Sequence, residues 1–87
     1  MTIRFTIEER HLTDAAGRPV AGPEPVEFHT FEAESVDDAV RLFVKKDDGE
    51  LIGGVLKFPG FQAVATVRKS SGVYTLQFTP ASQQFHI

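Results

Sequence analysis

A single segment with helical periodicity, residues 35–49, lies between regions in which apolar and polar residues alternate over several positions. Five of its apolar residues recur at the i, i+3, i+4, i+7, i+8 spacing of one helix face: Val36, Ala39, Val40, Phe43 and Val44. Ser35 is a candidate N-cap, with Asp38 completing a shortened capping box. Gly49 follows as a candidate C′ residue. The pattern predicts one helix over 36–46 with one apolar side to bury.

The alternation before the helix begins near the N-terminus. Residues 2–9 place Ile3, Phe5 and Ile7 on one side, which is typical of a half-buried strand. Residues 11–25 contain two glycines and three prolines, a composition that predicts a long loop. Loops of this length in compact domains are usually functional or disordered. We interpret this one as a mobile connector rather than a binding loop.

Residues 26–33 predict a second strand, although their apolar residues fall in both phases of the alternation. Val26 and Phe28 share one phase, and Phe31 and Ala33 share the other. A bulge in the middle of the segment would turn all four inward. Alternatively, the strand is central and both of its faces are covered.

The region after the helix predicts three further strands joined by two tight turns. A type II turn at residues 59–60 would pair Phe58 with Phe61. Because type II turns match the twist of a hairpin poorly, a looser turn of more than two residues is the alternative. The second turn lies at residues 70–72. Its loop must contain an even number of residues, because an odd loop would turn the large apolar residues of the last strand away from the core.

This register predicts which residues share each face of the three-stranded meander. On one face Gly54, Ala63 and Ala65 form a trough of small residues in which the helix can seat closely. The opposite face contains no acid, and its aliphatic and cationic residues are the predicted partner-binding set: Leu51, Val55, Lys57, Val64, Arg68 and Val73. Exposed apolar patches often mark interaction sites, so we expect this face to bind a protein partner or a second copy. A plain solvated face, or cover by the 11–25 loop or the tail, are the alternatives.

Together these elements predict one α+β domain over residues 1–80: a mainly antiparallel five-stranded sheet, order β-β-α-β-β-β, with one helix on one face. Residues 81–87 are expected to fray. The element order resembles that of β-grasp folds such as ubiquitin at the level of topology, in its N-terminal hairpin, its helix after an S-x-x-D cap and its further strands. The meander with two tight turns departs from that fold, and a shared topology does not imply a function.

Charge is distributed unevenly along the chain. All twelve acids lie between Glu8 and Glu50, so residues 1–50, with six Lys/Arg, carry a net −6. Residues 51–87 contain three cations and no acid, a net +3. Such a split indicates that the two parts face different surroundings. It also raises a second hypothesis, an anion or nucleic-acid contact through the acid-free meander, although a net charge of −3 argues against a general nucleic-acid binder.

No motif in the sequence indicates a catalytic, metal or cofactor site. The three histidines, His11, His29 and His86, fall in separate segments without the spacing of zinc ligands. Residues 47–50 are acidic but lack the spacing of a calcium-binding EF-hand loop. We therefore predict no catalytic residue, no metal ligand and no cofactor, and an enzyme with an unrecognised site is the third hypothesis.

The compartment is constrained only by what the sequence lacks. There is no cysteine, so disulfides and thiolate metal sites are excluded. The first ten residues lack the basic and apolar regions of a signal peptide, and the longest apolar run is three residues. We expect a cytoplasmic protein without a membrane partner. The leading functional hypothesis is a small, non-catalytic binding or protein-interaction module.

Overall fold

The computed structural model describes residues 2–20 and 26–81, which form one sheet and one helix. The elements are β1 (Ile3–Asp14), β2 (Val26–Ala33), α1 (Val36–Lys46), β3 (Glu50–Leu51), β4 (Leu56–Phe58), β5 (Gln62–Lys69) and β6 (Gly72–Pro80). The strands lie in the order β2-β1-β6-β5-β3, with β4 also beside β5, and all these pairings are antiparallel. The predicted α+β class is confirmed, with six strands rather than five.

The helix covers one face of the sheet, which we call the inner face, and the core lies between them. The predicted apolar stripe is confirmed: Ala39, Val40, Phe43 and Val44 are buried, and Val36 packs beside them. The sheet contributes a matching set of buried side chains: Phe5, Ile7, Ala33, Ala63, Ala65, Val67, Leu76 and Phe78. The trough of small residues therefore exists at Ala63 and Ala65. Gly54, its third predicted member, is exposed and lies outside it.

Both ends of α1 are capped. The side chain of Ser35 accepts a hydrogen bond from the N–H of Asp38 at 3.1 Å, which confirms the predicted N-cap. At the other end the left-handed residue is Asp48 (φ 56°) rather than the predicted Gly49. The N–H of Gly49 donates to the carbonyl of Val44 at 2.9 Å, as in a Schellman motif. The chain therefore leaves the helix one residue earlier than the glycine indicated.

Strand β1 is longer than predicted and takes up the first four residues of the expected loop. Every glycine and proline in 11–25 lies after Ala16, so nothing earlier in that segment opposes a strand. A bulge between His11 and Thr13 adjusts the pairing with β6. Gly72 faces this bulge with φ 139°, and a Cβ there would overlap the carbonyl oxygen of Thr13. Part of the predicted loop, 21–25, and the tail 82–87 lie outside the described residues.

Strand β2 has the predicted bounds but neither of the predicted arrangements. It is an edge strand, and its pairing with β1 runs without a bulge from Val26 to Ala33. Phe31 and Ala33 therefore face the helix. Val26 and Phe28 lie on the opposite, outer face, where Phe28 is 68% exposed.

The two turns of the meander differ in how well they were predicted. The second has the predicted even loop, residues 70–71, and turns the large residues of β6 inward. The first loop contains three residues, 59–61, rather than two. Leu56 consequently pairs with Val64, one residue away from the predicted register. A one-residue shift turns side chains to the other face, so Leu56 and Phe58 lie on the outer face.

The predicted strand over 51–58 is divided into β3 and β4. Leu51 pairs with Val67 and Leu56 pairs with Val64, so residues 52–55 lie opposite only two residues of β5. Gly53, at φ 71°, allows the chain to bend there. This irregularity accounts for the additional strand. Among the described residues, no helix has the length and apolar character needed to cross a lipid bilayer.

Replacing Ser35 by Ala should lower the free energy of unfolding by about 1 kcal/mol, because the side-chain acceptor for the first helical turn is lost. Urea unfolding followed by circular dichroism measures the change. Ser70→Ala, in the exposed hairpin loop, is the matched control and should have a smaller effect. Equal stability of Ser35→Ala and wild type would contradict the cap.

Replacing Ala65 by Leu should destabilise the fold by roughly 1–3 kcal/mol, because the larger side chain has no room beneath the helix. The control is Thr66→Leu, at the neighbouring position that faces away from the core, and it should change stability much less. Thermal unfolding of both variants tests the prediction. If Ala65→Leu is as stable as wild type, the helix does not seat on this residue.

Candidate functional site

The six residues predicted to bind a partner do not form one surface. Three lie on the outer face as predicted: Val64, Arg68 and Val73. Leu51 aligns with the inner residues of β5, and Val55 packs against the core. Lys57 also takes the inner side, where its Nζ donates to Asp37 of α1 at 2.9 Å. The cause is the irregular segment 52–55 and the shifted register that follows it.

The charge split along the sequence is cancelled by the fold. Each cation of residues 51–87 contacts an acid from the first fifty residues. The pairs are Lys57–Asp37 (2.9 Å), Arg68–Glu50 (3.5 Å), Lys69–Glu9 (2.7 Å) and Lys69–Asp47 (3.1 Å). The meander is therefore acid-free in sequence but not in space. The prediction that Lys57 and Arg68 lack a neutralising acid was wrong. Because each of the three cations already contacts a carboxylate, none is left free to bind an anion as the second hypothesis requires.

The outer face exposes an uncharged cluster at the β4–β5 edge of the sheet. The register aligns Leu56, Val64 and Gln77 in one row and sets Phe58 beside Gln62. We call these five residues, three apolar side chains and two glutamines, the apolar patch. Leu56 is 62% exposed and Phe58 is 48% exposed. Four of the five residues line a shallow cleft of about 310 Å³, so the patch combines protruding apolar side chains with a concavity.

Phe61 ends the turn beside the apolar patch in a strained conformation. Its φ of 61° lies in the left-handed region, which costs a bulky residue roughly 1–2 kcal/mol. The side chain is 58% exposed, so burial does little to offset that cost. Strain of this kind is more often found at functional turns than elsewhere.

Among residues 2–20 and 26–81, the ionised residues of the outer face balance one another. They form three pairs: Arg4–Glu32, Arg10–Glu8 and Arg68–Glu50. The three positive and three negative charges sum to zero. The other described residues include eight acids and six Lys/Arg, a net −2, so the negative charge of the described residues lies away from the outer face.

A second candidate site lies on the inner face, beyond the C-terminal end of α1. Its centre is Glu9, which is only 5% exposed. Glu9 Oε2 accepts a hydrogen bond from Lys69 Nζ at 2.7 Å, and Glu9 Oε1 accepts one from His29 Nε2 at 2.8 Å. Lys69 also donates to Asp47, the C-cap residue of the helix, at 3.1 Å. The cluster thus ties β1, β2, β5 and α1 together.

Aromatic side chains enclose one side of this cluster. Lys69 Nζ lies 4.5 Å from the centroid of the Tyr74 ring, within the range of a cation–π interaction. Tyr74 in turn stacks on His11 with a centroid distance of 4.2 Å. These side chains, with Glu9 and Glu27, line a cleft of about 220 Å³ that opens beside the buried carboxylate.

Lys69 remains an ammonium ion over the whole physiological range. Burial alone would lower the pKa of Lys69, but hydrogen bonds and charge attraction from Glu9 and Asp47 outweigh burial and raise it above 10.5. Lys69 is therefore a fixed positive charge that orients Glu9 rather than a base.

Sequence reasoning missed Glu9 because it ended the first strand at residue 9 and placed only Ile3, Phe5 and Ile7 on its buried side. The inward phase of Ile3, Phe5 and Ile7 continues to Glu9 and then His11. A carboxylate in that phase signals a buried charge that needs partners. Its partners on β2 and β5 come from strand pairing and carry no local signal.

Comparison of the chain with models of known families, with curated proteins and with solved structures finds no match.

Removing the ammonium of Lys69 should destabilise the protein by roughly 3 kcal/mol, because it leaves the Glu9 carboxylate buried without its cation. Lys69→Met keeps most of the side-chain volume. The matched control is Lys57→Met, which breaks an exposed ion pair and should cost about 0–1 kcal/mol. Urea unfolding at neutral pH compares the two. Equal effects would show that the Lys69 pair is energetically an ordinary surface pair.

The same variant gives a pH signature. Because the folded-state pKa of Lys69 is raised, its contribution is fully present below the unfolded value of 10.5 and is lost as pH rises through the folded pKa. The stability difference between wild type and Lys69→Met should stay constant from neutral pH to about pH 10 and narrow above it. A difference that narrows below pH 10 would assign the effect to another group.

Proposed function

We propose that the protein is a small, non-catalytic interaction module that self-associates through the outer face of its sheet, centred on the apolar patch. The observation that carries the proposal is the exposure of large apolar side chains on a face that no described element covers: Phe28, Leu56 and Phe58. Single exposed apolar residues are normal. Leu56 and Phe58 are neighbouring apolar side chains beside a cleft, which is typical of an interaction surface, and the strained, exposed Phe61 adjoins them. Phe28 lies on β2, at the opposite edge of the same face.

A second copy of the chain is the partner that the charges favour. The outer face has no net charge, so two outer faces can approach without repulsion. The other described residues carry a net −2, so two copies of that surface repel one another. A two-fold interface brings the same surface of each copy together, and among the described surfaces the uncharged outer face suits that arrangement best.

The size of the outer face is sufficient for a reversible dimer. Five neighbouring strands spaced about 4.8 Å apart give the width of the face, and about eight residues that rise about 3.3 Å each give its length. Their product is roughly 600 Å² of flat area per copy. Two copies would bury about 1,200 Å², which is the lower end of stable interfaces. Two sheets packed in this way lie about 10 Å apart, as in a β-sandwich.

The other two hypotheses have less support. An anion or nucleic acid would need free cations on the meander, and its three cations already contact carboxylates. An enzyme would need a reactive group, whereas the ends of Glu9 and Lys69 are held by one another. We keep the cytoplasm as the proposed compartment, because small domains outside the cell commonly depend on disulfides and this chain has no cysteine.

Sedimentation equilibrium from micromolar to millimolar concentration tests the proposal. Wild type should form a dimer, and Val64→Glu should be a folded monomer, because the new carboxylate would be desolvated in the interface without a partner. Leu42→Glu is the matched control: it introduces the same charge on the exposed side of α1 and should remain dimeric.

A wild-type protein that stays monomeric at millimolar concentration would overturn self-association, and so would a dimeric Val64→Glu variant. A variant that ends at residue 81 tests whether the C-terminal segment, rather than a second copy, covers the outer face. If it dimerises while the full chain does not, the outer face is covered by the chain's own C-terminal segment and the proposal of a second copy is wrong.

A further inference from the structure

We propose that Glu9, Glu27 and His29 bind a divalent transition-metal ion, with Zn²⁺ the best match to their chemistry, in contrast to the prediction from the sequence that the chain has no metal ligand. Each residue offers one ligand atom, and the three atoms lie within 4.8 Å of one another. The site is on the inner side of the β1–β2 hairpin and faces away from the outer sheet face, so the inference does not depend on self-association.

Strand pairing assembles the ligands. In the antiparallel register of β1 and β2, Glu9 stands directly opposite Glu27, and His29 stands opposite Ile7. Residues two apart on a strand share a face, so His29 lies diagonally across from Glu9 on the same side as both glutamates. Two hydrogen-bonded strands hold the three backbones in place, and a site on such elements is well preorganised.

Two of the three distances between ligand atoms lie near the value expected around a tetrahedral ion. His29 Nε2 lies 2.8 Å from Glu9 Oε1 and 3.6 Å from Glu27 Oε1. Ligand atoms about 2.0–2.1 Å from a tetrahedral Zn²⁺ stand about 3.3 Å from one another, and the two observed distances lie on either side of that value. The side chain of Glu27 is 70% exposed, so it can adjust to an ion without a change in the backbone.

The net negative charge around Glu9 favours the binding of a cation. Glu9 and Glu27 are like charges at directly opposite positions of two strands, an arrangement that is destabilising unless it is neutralised. Lys69 compensates only part of it, because the same ammonium also serves Asp47. Three carboxylates and one ammonium sum to −2, which a divalent ion balances when His29 is neutral.

Lys69 would also orient a ligand. Its hydrogen bond holds Oε2 of Glu9 and leaves Oε1 directed at His29. Metal-binding carboxylates are commonly held by such outer partners. An ion bound to His29 Nε2 takes the place of any proton on that nitrogen. The proton is released if His29 carries one on each nitrogen, and it moves to Nδ1 if His29 is neutral.

The ligand set indicates the kind of ion and of site. One imidazole with two carboxylates favours Zn²⁺ and similar transition metals over Mg²⁺ or Ca²⁺, which prefer oxygen ligands alone. Three protein ligands leave a fourth position for water or a small anion. Glu9 and Glu27 both line the cleft of about 220 Å³, which gives that position access to solvent.

The test is isothermal titration of the full-length protein with Zn²⁺, together with the visible spectrum of the protein with Co²⁺. Wild type should bind one ion per chain at micromolar concentration or tighter, and Co²⁺ should give the absorption bands of a low-coordinate site. Glu27→Gln should weaken binding at least ~10-fold. The matched control, Glu32→Gln, removes an exposed acid of the same strand on the outer face and should leave binding unchanged.

Glu27 is exposed, so Glu27→Gln should fold as wild type does, and circular dichroism verifies this. His29→Gln should abolish the Co²⁺ bands. Either of two results would overturn the inference: no stoichiometric binding by wild type, or binding that Glu27→Gln and Glu32→Gln weaken equally. Binding that persists unchanged in His29→Gln would place the ion elsewhere and also overturn it.

Discussion

The pairing of β1 with β6 is the constraint on which the rest of the structure depends. It places the first and last strands side by side in the middle of the sheet, with β2 on one flank and β5 on the other. The acidic N-terminal part is thereby interleaved with the cationic C-terminal part, so Lys69 reaches Glu9 across sixty residues of sequence. Strand pairing therefore gives the uneven charge of the sequence a structural role. It supplies ion pairs between distant strands rather than a charged surface for a partner.

Local features of the fold were predictable where a single segment determines the structure. The helix bounds, the Ser35 cap and the apolar stripe follow from capping chemistry and the 3.6-residue period. The even loop at residues 70–71 follows from the requirement that Leu76 and Phe78 face the core. In both cases one physical rule selects among few alternatives, and the rule uses only residues that are neighbours in sequence.

Prediction failed where the outcome depends on the length of one turn or on distant pairing. The loop at residues 59–61 holds one residue more than its Pro-Gly pair indicated, and this moved Leu56 and Phe58 to the outer face. The predicted partner-binding set lost Leu51, Val55 and Lys57, while the exposed face gained two large apolar residues. The inner polar cluster was not readable, because Glu9, His29 and Lys69 are separate in sequence and only the order of four strands brings them together.

The two faces of the sheet thus differ in the kind of interaction that a ligand could add. On the outer face charges are paired and apolar surface is exposed, so what remains to be gained there is the burial of apolar area, which is non-directional and favours another apolar surface. At the inner cluster apolar surface is covered, while the glutamates of β1 and β2 face one another with a single shared ammonium nearby. A ligand at that position would stabilise the protein by neutralising these carboxylates, and a small cation fits between them better than a protein surface does. Because the sheet separates the two, a ligand at one face need not compete with a ligand at the other, and each can be tested by substitutions that leave the other intact.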